Sequence, residues 1–255
     1  MRTLRFFLLL FSLIGTVHAQ AAPRSGTDVL RRMHDAYAGK WYNTLTFVQR
    51  TTVYKADGTS TESTWYESLR NSKTHGVQLR IDQGDPKIGN GVLYTADSVW
   101  IMRAGNLAAA RAGGNVFLPL IEGVYVNSVE QTIRELKETG VDLTKICQSV
   151  WQDRPVWIIG VTVPTDSVTP QIWVDPARNV VVRVILSPAP SQPMMDIHLD
   201  AYVPLAGGWL ATKIAMTVGG KPRQLEEYRD WKAGLPLNED LFDTSKWTTA
   251  VHWVP

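Results

Sequence analysis

Apolar residues in this chain recur first at helical and then at strand spacing. Val29, Leu30, Met33 and Tyr37 fall on one stripe at three- and four-residue steps, which predicts an amphipathic helix through DVLRRMHDAYAG. Thr27 is suited to cap its start and Gly39 to end it. After Gly39 the period drops to two. NTLTFVQRTTVYKADGTSTESTWYESLR reads as two strands folded about Asp57-Gly58, a dipeptide that readily adopts the positive φ angles of a tight hairpin. VQLRIDQ alternates, with Val77, Leu79 and Ile81 on one face and Gln78, Arg80 and Asp82 on the other. GVLYTADSVWIMR predicts a further hairpin turning near Asp97-Ser98.

The middle of the chain returns to helical spacing. Ser128 with Gln131 matches a capping box, and Val129, Ile133 and Leu136 form one stripe ending at Gly140. The apolar run before it, Val116 to Val126, is broken by Pro119 and Gly123 and predicts a loop with one or two short helical turns. Strand patterns then resume in VWIIGVTV, QIWVD, NVVVRVIL, DIHLDAYV, WLATKIAMTV and QLEEYRDW, separated by turns mostly rich in proline and glycine. The expectation is an α+β domain of mostly antiparallel β-structure, with about 10–11 strands, an N-terminal helix and helices in the middle. A sheet that large must curl, split or close. Helices interrupting the strand series suggest that they, and not a second sheet, fill the concave face. No repeat or linker marks a second domain, so residues 20–255 are read as one.

The first residues lie outside that fold. Arg2 and Arg5 precede a short apolar run, Phe6 to Ile14, and Val17-His18-Ala19 offers a small-x-small cleavage site, with Ala21 a second option. Residues 1–19 are therefore expected to be a cleaved secretory signal peptide, too short to span a bilayer, and the mature chain to be periplasmic and not an integral membrane protein. Losing the two arginines lowers Lys+Arg from 26 to 24, against 24 Asp+Glu. A near-neutral chain without blocks of like charge gives no argument for a nucleic-acid partner. The single cysteine, Cys147, excludes an intrachain disulfide and a multi-cysteine zinc site.

Asp196, His198 and Asp200 in PMMDIHLDAYVP occupy every second position and are metal-ligand types. The wet face of a half-buried strand gives the same spacing, and no second cluster completes a ligand shell, so neither a metal site nor a catalytic site is assigned and no cofactor is expected. A metal-dependent enzyme built on these three residues stays the least favoured reading. G-x-S-x-G, H-E-x-x-H, P-loop and G-x-G-x-x-G motifs are missing. Glu226 and Glu227, being adjacent, point to opposite faces of a strand. Large apolar surface is abundant: ten tryptophans, many of them in or beside strands, suit either a packed core or an enclosed apolar cavity.

The order of parts resembles the LolA/LolB-like family of periplasmic lipoprotein carriers. Phe47-Val48-Gln49 matches an F-x-Q first strand, Arg70 an arginine that ends the second, and Trp173-Val174-Asp175-Pro176 a W-x-D-P turn. Asp97-Ser98-Val99-Trp100 departs from the family's longer D-G-x-x-x-W hairpin, and Asn71 follows Arg70 where the carriers have proline. The resemblance implies an unclosed half-barrel with a helical lid over an apolar cavity that shields the acyl chains of a lipid or lipoprotein on the way to the outer membrane. The implied protein partners are an inner-membrane transporter or an outer-membrane acceptor, and the alternative is a sensor of the same fold that signals to a protein partner. Expected cavity residues are Leu45, Phe47, Trp65, Leu79 and Ile81 in the early strands. Leu93, Trp100 and Met102 follow, with Trp157, Trp173 and Met216 in the later ones. Arg70 would tie shut a lid that presents Phe117, Leu118, Leu120 and Ile121.

Overall fold

A computed structural model describes residues 21–72, 75–187 and 192–254 of the chain. The predicted signal peptide and its cleavage site at 19 lie outside the described residues. Helix α1 (Gly26–Tyr37) leads into a meander of six strands: β1 (Thr44–Tyr54), β2 (Ser60–Ser72), β3 (Gly76–Gln83), β4 (Gly91–Tyr94), β5 (Ser98–Arg103) and β6 (Asn106–Ala112). A π-helical turn (Pro119–Gly123) runs into the short α2 (Val124–Val126) and then α3 (Val129–Leu136). A second meander follows: β7 (Ile146–Trp151), β8 (Arg154–Ile159), β9 (Gln171–Asp175), β10 (Val180–Leu186), β11 (Met195–Leu205), β12 (Gly208–Val218) and β13 (Lys221–Ala233).

The thirteen strands form one sheet in the order β6-β5-β4-β3-β2-β1-β13-β12-β11-β10-β9-β8-β7, with all neighbours antiparallel. The first meander starts at the centre and walks out to one edge. The chain then crosses through the helices and the second meander walks back, so β13 closes against β1. β6 and β7 do not pair with each other, and the wall stays open. The sheet is therefore the expected unclosed half-barrel with helices against its concave face, with two more strands than the pattern predicts. The additional strands are the edges: β6, NLAAARA, is exposed along its whole length, so no buried face imposes alternation on it.

The helices start and stop for local reasons. Ser25, not Thr27, caps α1, its side chain accepting from the Asp28 N–H at 3.2 Å. Val29, Leu30 and Met33 are buried beneath α1 as its stripe predicts. Ser128 accepts from the Gln131 N–H at 3.2 Å, while the Gln131 side chain donates to Glu135 and leaves the capping box half made.

The principal core lies between the concave face and the helices, drawing Leu45, Leu69, Leu79, Ile172, Val184 and Leu199 from strands across the sheet. The convex face is also covered, over β3–β5, by the C-terminal segment after Ala233: Leu93 and Met102 pack against Leu241, Phe242 and Trp247. This second layer is pinned by Arg80, of which only 1% is exposed. Its guanidinium pairs with Asp82 at 2.7 Å, donates to the carbonyls of Leu241 (3.0 Å) and Trp247 (2.8 Å), and lies 3.9 Å from the Trp247 ring centroid. His252 also reaches Asp82, at 3.1 Å.

Breaking a buried pair by removing one partner strands the other charge, at a cost of about 3–5 kcal/mol. Arg80→Ala is therefore expected to lower stability by about that amount in urea denaturation, and to make the chain beyond Ala233 the first site of limited proteolysis. Unchanged cleavage there would show that the apolar contacts alone hold the segment.

Candidate functional site

Strand alternation points Leu45, Phe47, Trp65, Leu69, Leu79 and Ile81 into the concave face from β1–β3. Ile197, Leu199, Ile214, Met216 and Tyr228 come in from β11–β13. Between them and the chain Asn115–Tyr125 is a hollow of about 140 Å³. It is bordered above by Phe117, Leu118, Ile121 and Glu122. That is about the volume of four or five liquid water molecules, taking roughly 30 Å³ for each. Pockets that hold whole ligands run to roughly 300–1,000 Å³. The hollow under the segment Asn115–Tyr125 is thus smaller than such pockets.

Glu122 fastens the lid. It sits in the π-helical turn and is 4% exposed. Its carboxyl accepts from the indole N–H of Trp41 at 2.8 Å and from the hydroxyl of Tyr42 at 2.7 Å. Both donors belong to the link between α1 and β1. Burial pushes the Glu122 carboxyl up to about 8, against the opposing pull of the Tyr42 and Trp41 hydrogen bonds. Around it the rings interlock. Trp41 stacks on Tyr125 with centroids 3.8 Å apart, and Tyr37 meets both edge-on. The Tyr125 hydroxyl donates to the carbonyl of Asn179 at 3.1 Å, binding the lid to the second meander as well.

Two further carboxyls reach the hollow from its floor. Glu226 accepts from the Tyr228 hydroxyl at 2.7 Å and from the Gln224 amide at 2.6 Å, and burial raises its proton affinity in spite of both bonds. Glu67 is 4% exposed and has no hydrogen-bond donor among the described residues. Burial raises its proton affinity strongly, and the nearby Glu226 adds to the effect. Glu227, next along β13, points outward to Arg50, as the alternation of adjacent residues requires.

The structure gathers nine of the expected cavity and lid residues around the hollow: Leu45, Phe47, Trp65, Leu79, Ile81, Met216, Phe117, Leu118 and Ile121. Others lie elsewhere. Leu93 pairs with Arg80 across β3–β4 and with Trp100 across β4–β5, which puts Leu93, Trp100 and Met102 on the convex face beneath the C-terminal segment. Trp173 is likewise convex, beside Val156, Ile158 and Val182. Trp157 packs against the main core without bordering the hollow, and Leu120 is buried in that core. Arg70 does not tie the lid. Its Nε donates to Gln78 at 2.7 Å and its guanidinium lies over Phe242 at 4.2 Å, facing a separate polar groove. The fastening residue is instead Glu122, the lone charge in the apolar run Val116–Val126, and that isolation is the signal through which the sequence could have shown it.

The Asp-x-His-x-Asp stretch is a charge network on the convex face. Arg183 holds Asp196 through two bonds of 2.8 and 2.7 Å, and its guanidinium lies 4.7 Å from the rings of both Trp151 and Trp173. Burial would raise Asp196, but Arg183 and the nearby His198 outweigh it and hold the carboxyl below the usual range. Asp200 accepts from Gln152 at 2.8 Å. Ala201, at φ 52° and exposed, interrupts the alternation, and Tyr202 borders the hollow rather than sharing the face of Asp196. Among the described residues no group of three or more His, Cys, Asp or Glu is placed to hold a metal ion.

No protein-family model matches the sequence, and no curated protein does. Solved structures share the fold across nearly the whole chain. A DUF1329 family protein from Desulfovibrio piger superposes with a TM-score of 0.59 at 11% identity, over 87% of this chain and 97% of that one. An outer membrane lipoprotein-sorting protein domain from Vibrio parahaemolyticus gives 0.59 at 13%, over 88% and 98%. A LolA superfamily protein from Nitrosomonas europaea gives 0.49 at 10%, over 86% and 97%. At 11% and 13% identity the first two likenesses establish the fold alone.

In the unfolded chain the Glu122 carboxyl titrates near 4.5, and in the folded chain it keeps its proton up to about 8. Below the first value both states are protonated and its stabilising contribution is complete. Between the two only the folded state holds the proton, so each rise of one pH unit costs about 1.4 kcal/mol. Glu122→Gln should therefore flatten the fall of stability between about pH 5 and 8 by up to one proton's worth, measured by denaturant midpoints across that range. An unaltered slope would mean that Glu122 is ionised in the closed lid.

Proposed function

We propose that the chain is a periplasmic carrier that shelters the acyl chains of a lipid or lipoprotein beneath its lid on the way to the outer membrane, and that it is not an enzyme. The observation that carries this reading is the hollow itself: apolar side chains from both meanders converge on an unfilled space on the concave face, under a segment fastened at few points. A core that served stability alone would be filled, since each void forfeits contacts. No helix among the described residues is long and apolar enough to cross a membrane. One structural relative is an outer membrane lipoprotein-sorting protein domain, which agrees with a carrier role.

Energetics favour such a guest. Each methylene taken from water gains about 0.8 kcal/mol, so a dozen would outweigh the few contacts that hold the lid. Gly113 (φ 95°) and Gly114 join β6 to the lid and form a natural hinge. Loading requires only that the lid pass between closed and open states, with the guest favouring the open one.

Protein purified from the periplasm should carry acyl material visible by native mass spectrometry. Ile214→Trp, which fills the hollow at a folding cost of about 1–3 kcal/mol, should abolish uptake of a fluorescent acyl probe while the circular dichroism spectrum stays native. Undiminished uptake by the filled variant would move the binding site elsewhere.

A further inference from the structure

Three carboxyls border the hollow, Glu67, Glu122 and Glu226, and among the described residues that line it there is no lysine, arginine or histidine. Two of the three have donors: Glu122 has Trp41 and Tyr42, and Glu226 has Gln224 and Tyr228. Among the described residues Glu67 has none, though it is as buried as Glu122 and more so than Glu226, the acid that acts on it electrostatically. A buried acceptor left unpaired is costly and is rarely retained without a use. The walls beside it are aromatic. Phe47 is its cross-strand partner, Phe47 and Tyr228 lie with ring centroids 4.3 Å apart, and Trp65 lies two residues away on the same face. Ring faces attract cations as carboxylates do.

We propose that the guest of this hollow carries a positively charged amine beside its apolar chain, with the ammonium group received by Glu67 and Glu226 and the chain lying under the lid against Ile197, Ile214 and Met216. This deepens the carrier reading and rests on it. The unpaired acceptor supplies the hydrogen bonds an ammonium must recover when it leaves water, and the aromatic faces complete its surroundings. A guest whose polar end is a carboxylate or a phosphate finds no cation among the described residues lining the hollow to pair with, whereas an ammonium favours the ionised form of these acids, so the cavity selects by charge as well as by greasiness. The titratable groups coupled to Glu67 are Glu226, Tyr228 and Tyr94, all of them acids, and Arg111, which acts on Tyr94, is not among the residues that line the hollow.

The test uses three amphiphiles with the same chain, dodecylammonium, dodecanol and dodecanoate, each displacing a fluorescent acyl probe from the full protein at physiological ionic strength. The expected order is amine tightest, by about tenfold over the alcohol, with the carboxylate weakest. Glu67→Gln should bring the amine down to the alcohol and leave the alcohol unchanged. Alcohol or carboxylate binding as tightly as the amine to the wild-type protein would overturn the inference and leave the carrier reading standing, and this ranking does not depend on any variant folding. An amine preference that survives Glu67→Gln would overturn the role of that residue. Failure of all three to displace the probe would remove the carrier reading and this inference together.

Discussion

The antiparallel register between β1 and β13 is the constraint on which the molecule depends. Each meander alone would be an open sheet with an exposed apolar face. Pairing Leu45 with Ala233 and Thr51 with Glu226 joins the two into a single curved wall. A one-residue slip of β13 against β1 would send Tyr228 to the outside and Arg229 to the core. The irregularity between Thr46 and Val48 lies at this seam, where an added kink increases local twist and bends the wall around the helices. Because the halves meet here, the floor of the hollow is composed of both: Glu67 belongs to the first meander and Glu226 to the second.

Closing that wall over helices creates two unlike surfaces. On the convex side Arg80 is engaged with Asp82, two carbonyls and an indole face. On the concave side three acids border the hollow in apolar surroundings, where burial favours the proton as long as no cation is near. The contrast follows what each surface does. The convex network fixes a segment in place, and such networks rigidify when complete. The concave side leaves acceptors unused, Gln49 and Glu67 among them, and a space unfilled, which costs stability.

Much of the architecture was legible in the sequence, because period-two alternation is strong wherever one face of a strand is buried. Strands such as β3 and β11 show it, while β9 and β10 read as short apolar runs buried on both faces, and together they define a curved sheet with helices inside. Of the two missed edges, β6 escaped because it buries neither face, so Asn106–Ala112 carries no alternation and much of it is alanine, a weak strand former. The same alternation misled at β4 and β5. Leu93, Trp100 and Met102 are apolar in a strand that is covered on both sides, and sequence cannot say which apolar face looks inward until the C-terminal segment is placed. The acids of the site were missed because an inward-phase glutamate reads as an outward one. Only Glu122, isolated in an apolar run, carried a local sign of its surroundings.

The open seam between β6 and β7 has a mechanical consequence. A closed barrel has a girth fixed by its strand number and stagger, and cannot swell without breaking a ladder. Here each rung of the ladder already ends in a free margin, so the wall can spread or tighten by altering its twist while every hydrogen bond persists. Such a trough adapts its bore to thick or thin contents, as a cuff does and a ring does not.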